Sequence, residues 1–194
     1  MRRLLALCAA MAALAPISAA TILDFEGLGN LQQIPNGYGG FTWGPYFWSL
    51  DTVAYGVPSG YLNGVVSGRN VAFSAFESDV GFGVTSGTFA LNSLYLTAAW
   101  NDGLSVDIAG YRLGSLVRST TAVVDATGPT HVVLNWSGLD WVSFHSHGGT
   151  NHGYSGDGRH FVLDDVEVNS VPVVPAPVAA LPFLLGLAVR RRRR

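Results

Sequence analysis

Carboxylates near the two ends of the central part of the chain have the residue types of a calcium site. Asp24 and Glu26 stand close to its start, and Asp164 and Asp165 stand close to its end. Calcium prefers carboxylate and carbonyl oxygens as ligands. If these residues lie on neighbouring strands, we expect Glu26, Asp164 and Asp165 to hold a structural Ca²⁺ ion. The alternative is a bulge that turns Asp164 and Asp165 to solvent.

Asp164 is the most informative of these residues because of its neighbours. In an extended strand it shares a face with Val162, Val166 and Val168. A carboxylate in an apolar row needs a partner. The closing segment resembles that of jelly-roll carbohydrate-binding modules, and this resemblance implies a structural calcium ion here.

A dense group of aromatic residues between positions 38 and 55 is suited to a second kind of chemistry, the binding of sugar rings. Aromatic faces stack on the apolar face of a sugar, while polar neighbours bind its hydroxyls. We expect Trp43 and Trp48, with Trp100 at a strand end, to contact such a ligand. The alternative is that most of these rings fill the core.

Histidines form a third candidate group. In an extended strand His145 and His147 share a face with Trp141 and Ser143, about 7 Å apart, so they could bind a transition metal. The third ligand would be His152, which lies in a glycine-rich loop that would hold a metal poorly. We therefore predict that His145 and His147 form a polar rim that contacts a ligand.

Catalytic motifs are not found in the sequence. It has no Gly-x-Ser-x-Gly elbow, no His-Glu-x-x-His and no phosphate-binding loop. Glu26, Glu77 and Glu167 could pair with aspartates for glycoside hydrolysis. We predict a protein that is not an enzyme, and a glycan hydrolase remains the alternative.

The segments that must position these residues have the pattern of strands and turns. Between residues 21 and 170, short stretches rich in Val, Leu, Thr and aromatic residues alternate with Gly, Asn, Asp, Ser and Pro. We predict one all-β domain, a two-sheet antiparallel β-sandwich of the jelly-roll type with neighbouring first and last strands. A parity shift in the apolar alternation predicts a bulge near Asn92 and Ser93.

Charge and cysteine content limit what holds this domain together and what it binds. The only cysteine, Cys8, lies near the start of the chain, so residues 21–170 contain no disulfide. They hold four arginines and no lysine against all 13 acidic residues. A net charge of about −9 argues against nucleic acid or anionic lipid as a partner, since both need clustered cations.

The two ends of the chain have the composition of targeting signals. Residues 1–20 combine Arg2 and Arg3, an apolar stretch, Pro16 and small residues up to Ala20, which predicts a signal peptide used by the Sec translocon. Residues 171–194 combine a proline-rich hinge, a short apolar segment and five arginines. That segment is short for a lasting membrane anchor.

This tail resembles the sorting domain of PEP-CTERM proteins of Gram-negative bacteria. The matching residues are the hinge prolines Pro175 and Pro177 and the arginines Arg190, Arg191 and Arg192, whereas Ala176 stands where the family has glutamate. The resemblance implies recognition by an exosortase and transient inner-membrane anchoring. It implies delivery to the cell surface or exopolysaccharide matrix, where we expect a non-catalytic protein that binds extracellular polysaccharide. An ordinary membrane anchor, and a purely structural or adhesive role, remain alternatives.

Overall fold

The structure, a computed structural model, describes residues 20–170. The predicted signal peptide (1–20) lies almost wholly outside these residues. The predicted sorting tail, with Pro175, Pro177, Arg190, Arg191 and Arg192, lies entirely outside them. In the part of the chain that is described, no helix is long and apolar enough to cross a membrane.

Twelve strands make up most of the described chain. They are β1 (Thr21–Leu23), β2 (Gln32–Gln33), β3 (Thr42–Trp43), β4 (Phe47–Asp51), β5 (Asn70–Ser74), β6 (Val80–Gly83), β7 (Phe89–Ala98), β8 (Asn101–Arg112), β9 (Ser115–Val124), β10 (Thr130–Leu139), β11 (Trp141–Asn151) and β12 (Phe161–Ser170). Two single-turn helices follow β4, α1 (Thr52–Tyr55) and α2 (Gly60–Asn63), and 3-10 turns span Tyr38–Gly40 and Ala75–Glu77.

The strands form two antiparallel sheets. Sheet A has the order β10-β7-β12-β5-β4-β2, with β1 also paired to β12, and sheet B has the order β3-β6-β11-β8-β9. The main core lies between them and is rich in phenylalanine, including Phe47, Phe82, Phe144 and Phe161. The prediction of an all-β two-sheet antiparallel sandwich of the jelly-roll type is confirmed.

Two details of register agree with the sequence pattern. The first strand β1 pairs with the last strand β12, with Leu23 opposite Val166. Against β12, Ser93 pairs with Glu167 and Leu91 pairs with Val168, so Asn92 is an extra residue on β7. The predicted bulge near Asn92 and Ser93 is therefore confirmed.

A second, smaller core covers the outer side of sheet A. There Tyr61 of α2 packs against Phe73 of β5 and against Trp100. The sequence pattern predicts that the strand from Phe47 continues to Ala54, and this is wrong at its end. Asp51 accepts hydrogen bonds from the N–H groups of Val53 and Ala54 and so caps a helical turn.

Candidate functional site

The outer side of sheet B carries a tryptophan whose ring lies across a neighbouring strand. Trp141 of β11 stands opposite Gly83 of β6. A Cβ atom placed on Gly81 would lie 2.8 Å from Cε2 and Cζ2 of Trp141, and one on Gly83 would lie 2.7 Å from Cε3. Both ends of the indole thus contact glycine backbone, so the ring lies against β6. Trp141 is half-buried, and part of the ring remains accessible.

Two clefts flank this indole, and Trp141 and Asp140 line both. One has a volume of about 240 Å³ and is completed by Tyr111, Gly114 and Ser143. The other has a volume of about 340 Å³, and its polar residues include Thr85, Ser86 and Arg112. Small-ligand sites combine aromatic walls with a few polar groups in this way.

Hydrogen bonds hold the walls of the clefts in place. Asp140 Oδ2 accepts the N–H of Leu113 at 2.6 Å, which ties it to the β8–β9 turn. The Asp140 N–H donates to Tyr111 O at 3.0 Å. Arg112 Nη1 donates to Gly87 O at 3.1 Å and so joins the β8–β9 turn to the β6–β7 loop. Trp141 and its polar neighbours are therefore positioned by strands and tied turns.

The predicted residues His145 and His147 lie on the same outer face of β11 as Trp141. Their rings stack with centroids 5.7 Å apart. His145 Nδ1 lies 2.6 Å from Asp79 Oδ1, and His147 Nε2 lies 3.3 Å from Asp107 Oδ2. Each imidazole thus faces a carboxylate at an exposed position, and contact of these rings with a ligand stays a prediction.

The third predicted member of a histidine metal site lies elsewhere. His152 Nδ1 contacts Asp102 Oδ2 at 2.6 Å, and its ring packs on Tyr154. Within residues 20–170, no group of three or more His, Cys, Asp or Glu side chains is arranged to hold a metal ion.

The tryptophans predicted to bind sugar have three different environments. Trp43 is 3% exposed and stacks on Phe82, with centroids 4.8 Å apart. Trp100 is 6% exposed and packs edge-on against Tyr61 in the second core. Burial of both rings corrects the expectation that they stack on a ligand. Trp48 is half-buried and lines a groove on the outer side of sheet A.

The three predicted calcium ligands hold one loop. Asp164 Oδ2 accepts the N–H groups of Val66 and Ser67 at 2.7 and 3.2 Å. Glu26 Oε1 accepts those of Arg69 and Asn70 at 2.7 and 2.6 Å. We name residues 66–70 the clamped loop.

Asp165 completes this arrangement, since its Oδ1 accepts the hydroxyl of Ser67 at 2.6 Å. All three carboxylates therefore face N–H or O–H donors. A cation would instead require further oxygen acceptors around these carboxylates. The donor set does not fit calcium; it fits an all-protein hydrogen-bond network.

Asp164 is fully buried, so the alternative in which a bulge turns its side chain to solvent does not apply to it. Burial removes water from the carboxyl and raises its pKa to about 6, although three backbone N–H groups oppose this by stabilising the charged form. The predicted apolar row is wrong, because β12 shifts register after Asp164 and places Val162 in the outer core but Val166 and Val168 in the main core. The partner of the Asp164 carboxylate is the backbone of the clamped loop.

Sequence reasoning missed the centre of the site, although a signal was present. The sequence pattern indicates Trp141 only as a neighbour of the histidines and does not indicate Tyr111. Gly81 and Gly83 alternate with Val80 and Phe82, which are buried in the core. A strand with glycines along its whole outer face leaves room for a large flat side chain from the next strand.

Comparisons with known proteins give low similarity. The sequence matches no protein-family model and no curated protein. Among solved structures, it is similar to TmCBM61 in complex with β-1,4-galactotriose, at 8% identity and a TM-score of 0.38, covering 74% of this chain and 99% of that one.

Two further structures show comparable similarity. One contains the M60 catalytic domain with the CBM51-1 and CBM51-2 domains of Clostridium perfringens ZmpB, at 12% identity and a TM-score of 0.41, covering 78% of this chain and 15% of that one. The other is the family 29 carbohydrate-binding module CBM29-2, at 15% identity and a TM-score of 0.34, covering 80% and 94%. Similarity at this level carries no argument about a ligand.

Proposed function

We propose that this protein is exported and binds extracellular polysaccharide, without catalysis, on the outer face of sheet B. The observation that carries the proposal is the position of Trp141, whose indole lies against Gly81 and Gly83 between two polar clefts. A ring supported from below by backbone presents a rigid aromatic surface at low entropic cost. Such a surface suits the apolar face of a pyranose.

The groups around the indole suit sugar hydroxyls. Three hydroxyl groups can each donate and accept hydrogen bonds, those of Ser143, Thr85 and Ser86. Arg112 can only donate, and Asp140 accepts. His145 and His147 continue the same face along β11 and would contact adjacent sugar units of a longer chain. Donors and acceptors at the edge of an aromatic surface give orientation and specificity.

Charge favours a neutral polysaccharide. Residues 20–170 hold four arginines against 13 acidic residues. Arg69 and Arg159 are paired with Asp51 and Glu77. An anionic chain would be repelled by a net charge of about −9.

A purely binding role is supported by the carboxylates of the site. Among the residues that line the two clefts, Asp140 alone has a carboxyl group, and it accepts the N–H of Leu113. Glycoside hydrolysis by the usual mechanisms needs two carboxyl groups on either side of the scissile bond.

Export is proposed from the ends of the chain. The signal peptide at residues 1–20 and the PEP-CTERM-type tail at 171–194 together support secretion, exosortase processing and delivery to the surface of a Gram-negative cell. In this proposal the described domain is the cargo that these signals deliver.

Affinity electrophoresis tests the binding proposal. The wild type is expected to be retarded in native gels that contain a neutral polysaccharide, drawn from dextran, glucomannan, galactan and hydroxyethyl cellulose. Trp141→Ala should weaken retardation at least about tenfold, as for a central aromatic anchor. Tyr95→Ala is the matched control, because Tyr95 is a half-buried ring stacked on His131 in the other sheet. A wild type that no polysaccharide retards supports the structural or adhesive alternative.

A further inference from the structure

A groove on the outer side of sheet A has a second exposed aromatic cluster. Its volume is about 330 Å³, and it is lined by Leu31, Trp48, Phe73, Ala75, Phe76 and His160. We name it the Phe76 groove. Phe76 is 69% exposed and Leu31 is 50% exposed, so apolar surface is left open to water here. Contiguous exposed apolar surface of this kind marks a binding site more often than isolated side chains do.

The aromatic rings of this groove are arranged at right angles. Phe76 and Trp48 have centroids 5.6 Å apart and an interplanar angle of 87°. On its other side, Tyr46 lies 6.1 Å away at 83°. Tyr46 O also accepts the N–H of Ala75 at 2.8 Å, which ties the loop before β4 to the turn that carries Phe76. The rings form a fixed corner.

Backbone conformation around the groove is unusual. Leu31, Phe76 and Glu77 adopt positive φ angles of 50°, 59° and 53°. Bulky residues rarely occupy this left-handed region, and two in succession are rarer still. Strained backbone of this kind clusters at binding and active sites. Here it presents Phe76 to solvent.

One polar side chain, His160, lines the same groove, and its sequence neighbour Arg159 forms an ion pair with Glu77, which follows Phe76. Glu77 Oε2 accepts the Nε–H of Arg159 at 3.0 Å. His160 Nδ1 lies 2.7 Å from Ser74 O, which is an acceptor, so Nδ1 carries the hydrogen and Nε2 is the acceptor of the neutral imidazole. A ligand hydroxyl can donate to Nε2.

These features point to a small ring with one apolar face. The volume lies near the lower end of the range for small-molecule sites, which is about 300–1,000 Å³. A protein partner requires a much larger contact area, about 800 Å² on each side. Aromatic walls at a corner, with the imidazole of His160 among the lining groups, instead fit a single sugar unit.

The groove and the Trp141 face lie on opposite sides of the sandwich. Trp48 and Phe73 belong to the small core outside sheet A. Val142 and Phe144, which alternate with Trp141 and Ser143 on β11, belong to the main core. Trp141 therefore faces out of sheet B. A chain bound at one site cannot block the other.

We propose that the Phe76 groove is a second sugar-binding site, so that one molecule bridges two polysaccharide chains. This rests on the proposed function, because the Trp141 face supplies the other site. Two sites on opposite faces can cross-link a repetitive polymer even when each site binds it weakly. The many identical sugar units of the polymer raise the effective concentration of ligand at each site.

Two readouts on the full-length protein test the proposal, retardation in native gels for binding and turbidity of polysaccharide mixtures for bridging. Each uses the neutral polysaccharide that retards the wild type most. The variants are Phe76→Ala, Trp141→Ala and the double variant. Val53→Ala is the control, because Val53 is as exposed as Phe76, at 69%, but lies outside the groove.

We expect both single variants to remain retarded, with reduced affinity. The turbidity that they produce should be at least about tenfold lower than that of the wild type. The double variant should not bind, and the control should behave as wild type. If Phe76→Ala clouds the mixture as the wild type does, bridging through this groove is overturned while the Trp141 site stands. If no polysaccharide retards the wild type, the proposed function fails and the second site with it.

A second copy of the chain is the remaining occupant to exclude. Sedimentation equilibrium without sugar should show the same mass for the wild type and Phe76→Ala. A wild-type dimer that Phe76→Ala dissociates would show that the groove is a self-association surface and would overturn the proposal.

Discussion

Asp164 Oδ2 accepts the backbone N–H of Val66 at 2.7 Å, across 98 positions of sequence. This bond joins the closing strand to the clamped loop, and Glu26 near the opening strand binds the other end of that loop. Carboxylates that the sequence pattern assigns to a cation thus hold backbone N–H groups instead.

Chelation is therefore expected to leave thermal stability unchanged. The oxygens of Glu26, Asp164 and Asp165 bind donors within the chain, so no cation is needed to neutralise them. The melting temperature should agree within error in 1 mM EDTA and in 1 mM Ca²⁺, concentrations on the order of the weakest extracellular calcium sites. A melting temperature that falls with EDTA and recovers with calcium would contradict this account of the clamped loop.

Stability should depend on pH through Asp164. Its pKa rises from 3.8 in the unfolded chain to about 6 in the fold, so the folded state binds more protons between these values. The contribution of Asp164 to the free energy of unfolding should therefore fall as pH rises from about 4 to about 6, by on the order of 3 kcal/mol, and level off above.

Urea denaturation of the wild type and Asp164→Asn at each pH measures this contribution. The variant is less stable overall because it loses an acceptor, but the wild-type advantage should shrink as pH rises. Asp79→Asn, at an exposed position, is the control for the carboxyl-to-amide change itself. Parallel pH profiles for the wild type and Asp164→Asn would refute the assignment.

Gly81→Ala should disturb the aromatic surface. The added Cβ would lie 2.6 Å from Val142 O and 2.8 Å from the Trp141 ring. We expect a loss of about 1–3 kcal/mol of stability, as for overpacking in general, and weaker retardation by polysaccharide. Gly128→Ala is the matched control, since no atom lies within 4 Å of a Cβ there. Equal melting temperatures and equal retardation for both variants would argue against close contact between Trp141 and β6.

The ends of the chain predict a defined mature protein. The intact mass of the protein recovered from the cell surface should match a chain that lacks residues 1–20 and ends near Pro175 to Pro177. Replacing Arg190, Arg191 and Arg192 together with alanine should prevent processing of the tail, because the arginine cluster is part of the sorting signal that the resemblance implies. A full-length C-terminus on the mature protein would favour an ordinary anchor.

The fold was more predictable than the site. Period-two alternation and turn residues specify strands directly, and the parity shift near Asn92 is visible without a structure. The short helix α1 was missed because its cap, Asp51, lies at the end of a good strand pattern. Its effect depends on hydrogen bonds to Val53 and Ala54.

The prediction of ligand-binding residues is wrong where it depends on the solvent exposure of a side chain. Trp43, Trp48 and Trp100 have the same residue type, yet two are buried and one lines a groove, and composition does not separate them. The position of the Trp141 ring depends on Gly81 and Gly83. These glycines contact it only because β6 and β11, about 60 residues apart in the chain, pair in the sheet. Asp164 was correctly expected to need a partner, but the partner came from a distant loop.

The central claim is that a sugar stacks on Trp141, and the indole N–H resonances of the five tryptophans report on it most directly. On titration with oligosaccharides of the polysaccharide that retards the protein, the Trp141 resonance should shift progressively and saturate. Those of the buried Trp43 and Trp100 should stay in place and serve as internal controls. A Trp141 resonance that does not move while the sugar binds would contradict the account.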